Sequence, residues 1–354
     1  MDSNRLQRVM KTMSGSQSSQ MLLTSPSNIF YLTGISFDPG ERFAGLFLAL
    51  GEEPLFFCNR LFPQGEESPY KTIWHEDGED PFLKLMSHLS LAGPLAVDKD
   101  CPARFLFPLL SHSVSLTDAS AVIDRVRMIK DEDEISLMKE ASRLNDLALG
   151  FLAESFHPET TEKELVRKLD DFYSRNNSSF SFSPLIAFGS HAAVPHHESG
   201  TGTPVAGSSV LFDIGGRTQG YCSDMTRTFS FGQPDPKLNE IYEAVLEANL
   251  TAESVIRPGI PFSEIDKAAR DIISQKGYGE FFTHRTGHHI GIDVHEFPDV
   301  SLANPMAAQA GMIFSVEPGI YLPGQCGVRI EDLVLVTEDG VEILNQFPKE
   351  LIRL

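Results

Sequence analysis

Asp213 and Asp224 stand eleven positions apart in LFDIGGRTQGYCSDMTRTF (Leu211–Phe229), each in a run of apolar or β-forming residues where carboxylates are seldom tolerated. Glu317 and Glu331 repeat the pattern in FSVEPGIY and GVRIEDLVLVT, fourteen positions apart. Between the two pairs lies FFTHRTGHHIGIDVHE, which sets His284, His288, His289 and His295 among glycines. Carboxylates gathered in an apolar setting need a shared proton or a cation. Four acids with at least one imidazole make a set of hard oxygen ligands plus a nitrogen. That combination suits two divalent cations better than a single structural zinc, which would favour thiolates. Each acid by itself would be an N-cap, a salt-bridge partner or a surface residue; the set is hard to explain without metal.

Two hairpins have to position these acids. Gly215, Gly216 and Gly220 supply turn signals between the aspartates. With Thr218 and Gln219 at the tip, Asp213 falls directly opposite Asp224, where Cβ atoms lie about 4.5–5.5 Å apart and like charges destabilise the sheet. Pro323–Gln325, with Gly324 at its centre, makes a three-residue tip for the second hairpin and brings Glu317 and Glu331 onto adjoining strands.

The 354 residues suit two domains, and 41% hydrophobic content is ordinary for a chain with a sizeable core. A net charge of -20, with no basic block or stripe, argues against nucleic acid or an anionic membrane as partner. The start, MDSNRLQRVMKTM, has no apolar core of the signal-peptide kind, and no run approaches the roughly 18 apolar residues of a membrane span. Cys58, Cys101, Cys222 and Cys326 are scattered without a CxxC pair, which fits a reducing cytoplasm and packing roles.

Residues 1 to about 125 alternate strand-like runs (Met21–Thr24, Ala44–Leu50, Leu55–Cys58, Leu95–Val97) with helical patterns (Phe82–Leu89, Ala103–Leu110), which predicts a mixed or parallel sheet. Ser25–Phe37, SPSNIFYLTGISF, reads as a strand and turn. A charged link, Arg125–Glu134, leads into a helix with Met138, Ala141, Leu144, Ala148 and Phe151 at helical spacing. Thr161 and Glu164 form a capping-box pattern for the next helix. Pro184–Gly189 is strand-like, and two helices follow near Pro236–Arg257 and Ser263–Lys276, the second with Ser263 as cap. Both halves of this region run helix, helix, strands.

The succession DIGGRTQGYCSDMTRTF, HRTGHHIGIDVHE, SVEPGIY and VRIEDLVLVT resembles the metal-site motifs of the pita-bread metallopeptidases, and most of all those of the Xaa-Pro peptidases, aminopeptidase P and prolidase. SNIFYLTG and RMIKDEDEI are similar to the creatinase-like N-terminal domain and the opening of the catalytic domain, so the resemblance spans nearly the whole chain. It implies an α+β protein: a creatinase-like α/β domain over residues 1–125, then a pita-bread catalytic domain over residues 126–354. It further implies that Asp213 chelates one divalent ion, that Asp224 and Glu331 bridge two, and that His288 with Glu317 completes the set of ligands around the second ion. Manganese (Mn2+) is the first choice of ion, with Co2+ or Zn2+ as alternatives. Such a pair, about 3.5–4 Å apart, holds a bridging water and clamps a tetrahedral intermediate, with Glu317 as general base. By the same resemblance His196 and His295 contact substrate and stabilise developing charge, and His284 lines the substrate wall. His191, His197 and His289 are read as local variation or as residues behind the ligands. Arg329 is expected either to order the acids through a bidentate ion pair or to be an ordinary edge-strand arginine.

The resemblance implies a cytoplasmic, homodimeric hydrolase that cleaves the Xaa-Pro bond at the N-terminus of small peptides. Prolidases commonly carry an arginine four residues after the position of His295, where this chain has Asp299. A carboxylate there would repel a dipeptide's C-terminus, which favours an aminopeptidase P-like activity on longer peptides over a strict Xaa-Pro dipeptidase. Proline has no N–H and a fixed ring, so its pocket would be snug and partly apolar, walled by the N-terminal domain. A methionine aminopeptidase would share the five ligands but generally lacks such a domain. A creatinase-like amidinohydrolase works without metal and would not need all five ligands. A non-catalytic peptide-binding module would be free to lose them.

Overall fold

The computed structural model describes residues 3–354, and the chain divides into two compact units, Met1–Arg127 and Met128–Leu354. In the first, a mixed six-stranded sheet has the order Lys71–His75, Leu55–Asn59, Gly45–Ala49, Gln20–Leu23, Leu95–Val97, Leu116–Asp118. Its buried strands are continuous apolar runs because both faces are covered; Leu22, Phe47 and Phe57 pack with Phe43, Phe82 and Phe105.

The SNIFYLTG stretch is a helix, Pro26–Thr33, and not the strand and turn expected from its aromatic and β-branched content. Pro26 occupies the first turn, where a missing N–H costs nothing, and Gly34 closes the helix in the left-handed region (φ 74°). Buried Asp98 accepts from the Thr24 and Ser25 amides at 2.9 Å, so a carboxylate sits at the helix start. The link expected at Arg125–Glu134 is also partly helical, since Ser120–Arg127 forms a helix ahead of Glu132–Ser155.

The second unit consists of two halves of like order. Helices Glu132–Ser155 and Glu162–Arg175, both opened by capping boxes (Asp131 with Glu134, Thr161 with Glu164), precede a sheet ordered Met225–Ser230, Ser209–Ile214, Leu185–Phe188. Helices Pro236–Ser254 and Phe262–Gln275 precede a sheet ordered Glu296–Val300, Gly287–His289, Ile313–Val316, Asp332–Val336, Val341–Ile343. Each pair of helices buries an apolar stripe on its own sheet, Leu149 and Leu165 on Phe212 in one half, Val245 and Ile265 on Phe314 in the other. The cap of Phe262–Gln275 is Pro261 rather than Ser263. Asp266 instead accepts from the Thr286 amide and hydroxyl at 3.0 and 2.8 Å and from Arg270, bracing the histidine segment. No helix among the described residues is long and apolar enough to cross a membrane.

The first hairpin departs from its expected register. Gln219 and Gly220, with φ of 50° and 88°, form the tip, and Thr218 pairs with Tyr221. Two consecutive positive φ values are what a tight two-residue hairpin turn demands, and glycine adopts them without strain. The register therefore moves on, and Asp213 lies opposite Thr226 instead of Asp224. Asp224 falls in the break between strands Tyr221–Cys222 and Met225–Ser230, not inside a ladder. The second hairpin keeps its expected three-residue tip, with Leu322 paired to Cys326. The pairs Val316 with Asp332 and Gly319 with Arg329 carry one register through the break between its two sheets, which sets Glu317 opposite Glu331.

Candidate active site

The two hairpins meet along strand Met225–Ser230. The Glu331 amide donates to the Thr226 carbonyl at 3.1 Å, and the Arg329 amide donates to the Thr228 hydroxyl at 3.2 Å. Their acids thereby converge at breaks in the strands, where carboxylates can face inward without displacing ladder hydrogen bonds. Asp224, His288 and Glu331 offer ligand atoms within 4.8 Å of one another. Glu317 Oε1 lies 3.5 Å from His288 Nε2, and Asp224 Oδ2 lies 3.6 Å from the same nitrogen.

His288 is oriented as a ligand. Its Nδ1 faces the His289 carbonyl at 3.2 Å, so that nitrogen carries the hydrogen and the Nε2 lone pair points at the two carboxylates. Burial, and next the neighbouring His295, push its pKa down to about 3, so the ring is neutral. A lone pair aimed at carboxylate oxygens is repulsive unless a proton or a cation lies between them. Two ligands about 2.1 Å from one cation stand about 3.4 Å apart in a tetrahedral shell, close to the separations seen here. Asp224 Oδ1 and Asp213 Oδ1 are buried with no hydrogen-bond partner, leaving acceptor capacity for an ion. Burial and then the neighbouring acids raise Asp224 and Glu331 well above the ordinary carboxylate range. Burial is also the main reason Glu317 rises to about 7, against a pull downward from Arg329. The residues present fit divalent cations.

Asp213 stands apart from the tight trio, held by Arg329 Nη2 at 2.5 Å. Arg329 does not make the expected bidentate fork. Its Nε donates to Thr226 Oγ1 (3.1 Å) and its Nη1 to the Tyr321 hydroxyl (2.9 Å), while Thr226 in turn donates to Glu331 Oε2 at 2.6 Å. One guanidinium thus ties Asp213 directly, and Glu331 through Thr226, to a common frame. Thr226 and Tyr321 escaped the sequence reading because neither ionises at neutral pH. Strand alternation could have found Tyr321, which shares a face with Glu317 across Gly319.

His284 has no nitrogen left for a ligand. Its Nδ1 donates to the Arg285 carbonyl at 2.7 Å, and its Nε2 accepts from the Tyr321 hydroxyl at 2.7 Å. Burial, then Arg329, lowers its pKa to about 4. It is therefore a neutral link between Tyr321 and the Arg285 backbone. His295 packs edge-on against His288 with centroids 4.3 Å apart, and its pKa is lowered by burial, then by Arg285 and His196. His289 faces away, its Nδ1 on the Pro298 carbonyl at 2.7 Å.

His196 is exposed in the loop after the short helix Gly189–Ala193. Two devices hold that loop over the site. At Gly327 a Cβ would lie 1.8 Å from the Ala192 carbonyl oxygen, so only glycine lets strand Cys326–Arg329 approach so closely. On the other side, buried Glu162 binds His191 Nδ1 at 2.7 Å and His197 Nε2 at 2.9 Å. These are hydrogen-bond distances, and both Glu162 oxygens also accept amides, from Phe188 and Gly200. Although this trio too has metal-ligating side chains, its geometry is that of a proton-sharing clamp. The sequence reading passed over Glu162 because it sits in an ordinary capping pattern.

Two helix-helix-strand halves with acids aimed inward from paired hairpins make the pita-bread arrangement, and the chain is a metallopeptidase. More narrowly, it belongs to metallopeptidase family M24, which residues 136–338 match, while residues 5–129 match the Creatinase/Prolidase N-terminal domain. The chain is similar to a prolidase from Thermococcus sibiricus (34% identity, TM-score 0.95, all of both chains). It is also similar to a dipeptidase from Pyrococcus horikoshii OT3 (34% identity, TM-score 0.93, 99% of this chain and 100% of that one). An uncharacterized peptidase of Staphylococcus haemolyticus is 38% identical over 354 residues, covering 98% of this chain and 100% of the relative.

Proposed function

We propose that this metallopeptidase hydrolyses Xaa-Pro dipeptides. The observation that carries the reading is the convergence of Asp224, Glu331, Glu317 and the neutral His288 at separations too long for hydrogen bonds and right for shared cations. The similarity to prolidase and dipeptidase structures over the full length narrows the substrate. Asp299, which favoured longer peptides in the sequence reading, has its carbonyl and carboxylate engaged by Asn304 at 2.6 and 3.3 Å. Aminopeptidase activity on longer Xaa-Pro peptides is the second reading, and Asp299 is the residue that favours it.

In this proposal Asp213, Asp224, His288, Glu317 and Glu331 hold two divalent ions, manganese by first choice. When bound, the ions polarise the scissile carbonyl and lower the pKa of an attacking water. The chain's own residues do the rest. Glu317 takes a proton from the water and passes it to the proline nitrogen, which leaves as an amine. Arg329 pairs with Asp213 and, through Thr226, keeps Glu331 in place, and His196 and His295 contact the substrate carbonyl from the loop side.

The test is release of the N-terminal alanine from Ala-Pro and from Ala-Pro-Ala by metal-loaded protein, with and without chelator. Chelator-sensitive release from Ala-Pro, at a kcat/KM at least tenfold above that for Ala-Pro-Ala, is expected. Release from neither peptide would overturn the reading. The protein is further proposed to be a cytoplasmic homodimer, a reading supported by the resemblance and by four buried free cysteines. Light scattering should return twice the 39.1 kDa chain mass, and a monomer would count against it.

A further inference from the structure

Asn249 lies in the middle of helix Pro236–Ser254, where asparagine is a poor helix former, and it is fully buried. A buried amide keeps such a place only when its donors and its acceptor are met. Its Nδ2 donates to the Val316 carbonyl at 3.0 Å and, more weakly, to the Ile330 carbonyl at 3.4 Å, and its Oδ1 accepts from Lys349 Nζ at 2.9 Å. Val316 and Ile330 immediately precede Glu317 and Glu331. One amide therefore spans the break that presents both acids of the second hairpin.

The far side of the same strands explains why a lysine meets that amide. Thr226 and Arg227 are neighbours on one strand and so take opposite faces. Thr226 reaches Glu331 Oε2, while Arg227 turns to the back, where its Nη1 donates to the Glu331 carbonyl and its Nη2 to Asp332 Oδ1, both at 2.6 Å. Lys349 Nζ closes the group, 2.7 Å from Asp332 Oδ2 and from both oxygens of Glu253. Two cations thus face two carboxylates in the interior, and removing one leaves its partner uncompensated. Lys349 is carried there by segment 346–354, which is fixed in turn. Arg227 donates to the Phe347 and Pro348 carbonyls, the Ser230 backbone bonds Ile352 and Leu354, and the Tyr242 hydroxyl donates to the Lys349 carbonyl at 2.6 Å.

We propose that Asn249 is a positioning residue of the metal centre: its amide fixes the spacing at which Glu317 and Glu331 face the ions, and Lys349 fixes the amide. The proposal rests on the ligand assignment above and adds no ligand to it. Asn249 acts on the backbone just ahead of each acid, so releasing either carbonyl lets the adjoining Cα drift and the carboxylate with it. Removing a hydrogen bond that stands behind a metal ligand costs about tenfold to a hundredfold in metal affinity or activity.

Asn249→Leu keeps the size of the side chain and removes its hydrogen bonds. Manganese binding to the metal-stripped, full-length variant, measured by calorimetry well below its Tm, is expected to weaken about tenfold to a hundredfold. In the reloaded variant kcat for Ala-Pro should fall by a similar factor, with little change in KM. Tyr242→Phe is the control: it loosens the same helix from segment 346–354 and leaves Asn249 and Lys349 in place. It should lower Tm yet keep the parental manganese affinity and kcat. If Asn249→Leu does not fold, Lys349→Met combined with Glu253→Gln, which removes one cation and one carboxylate together, carries the same expectation. Parental affinity and kcat in the variant that folds, or an equal loss in Tyr242→Phe, overturns the proposal. Glu331→Gln separates the proposal from the reading beneath it. Parental manganese affinity there would bring down the ligand assignment itself, whereas lost affinity there beside parental affinity in Asn249→Leu sinks the positioning role alone.

Discussion

Glu317→Gln is expected to lower kcat for Ala-Pro by about a hundredfold to ten-thousandfold, the range a positioned general base contributes, with a much smaller change in KM. Gln matches the shape of Glu and can keep the contact from Ser315 Oγ at 3.3 Å, but it cannot accept a proton. Burial brings the Glu317 carboxyl to about 7 in the absence of a cation, with Arg329 pulling the other way. Its neighbour across the hairpin, Glu331, has an oxygen bound by the Thr226 hydroxyl. Steady-state kinetics beside metal analysis of the variant decides the matter. A variant that retains both metal and full kcat would remove Glu317 from the proton path.

Stripping metal should cost stability, and the cost should grow with pH. Each ion present at a hundredfold excess over its Kd adds about 2.7 kcal/mol, which for a unit of this size corresponds to a Tm rise of about 5–10 °C. The pH dependence follows from the carboxyls. Glu317 at about 7, and Asp224 and Glu331 raised well above their ordinary values, hold protons in the fold that the unfolded chain has already released. The stability this lends is full below the ordinary carboxyl range and is lost as pH rises through the folded values. His288 at about 3 and His284 at about 4 act oppositely: their contribution is complete above about 6.5 and is lost only as pH falls. Between pH 6.5 and 8.5 only the acids still act, so the metal-free Tm falls. Bound ions supply the counter-charge, and the loaded Tm stays nearly level. Scanning calorimetry at both pH values measures the gap, and a gap that fails to widen with pH would mean that the acids do not share one buried site.

Much of this was legible in the residue order. Acids in apolar runs, glycines at turns and a histidine-glycine segment announce a metal site, because burying a carboxylate is too costly to occur without compensation. The three-residue tip at Pro323–Gln325 and the box at Thr161 and Glu164 were readable for the same local reason: each is decided by residues within one turn. The first hairpin was not. Its register depended on whether Thr218 and Gln219 or Gln219 and Gly220 made the turn, and a one-residue shift of the tip exchanges Asp224 for Thr226 opposite Asp213. The SNIFYLTG helix escaped because Pro26 at its start and Gly34 at its end outweigh β-leaning residues between them.

The sequence alone determined which groups would carry charge into the interior and, through the resemblance of their motifs, the class of reaction they serve. Only the tertiary structure decided how that charge is shared. It divides Arg329 among three partners, turns His284 inward between Tyr321 and a carbonyl, and gives Glu162 to two histidines. Hydrogen bonds are settled by distances of tenths of an ångström between residues far apart in the chain, such as Arg329 and Asp213, and no local pattern of residue types encodes distances of that kind.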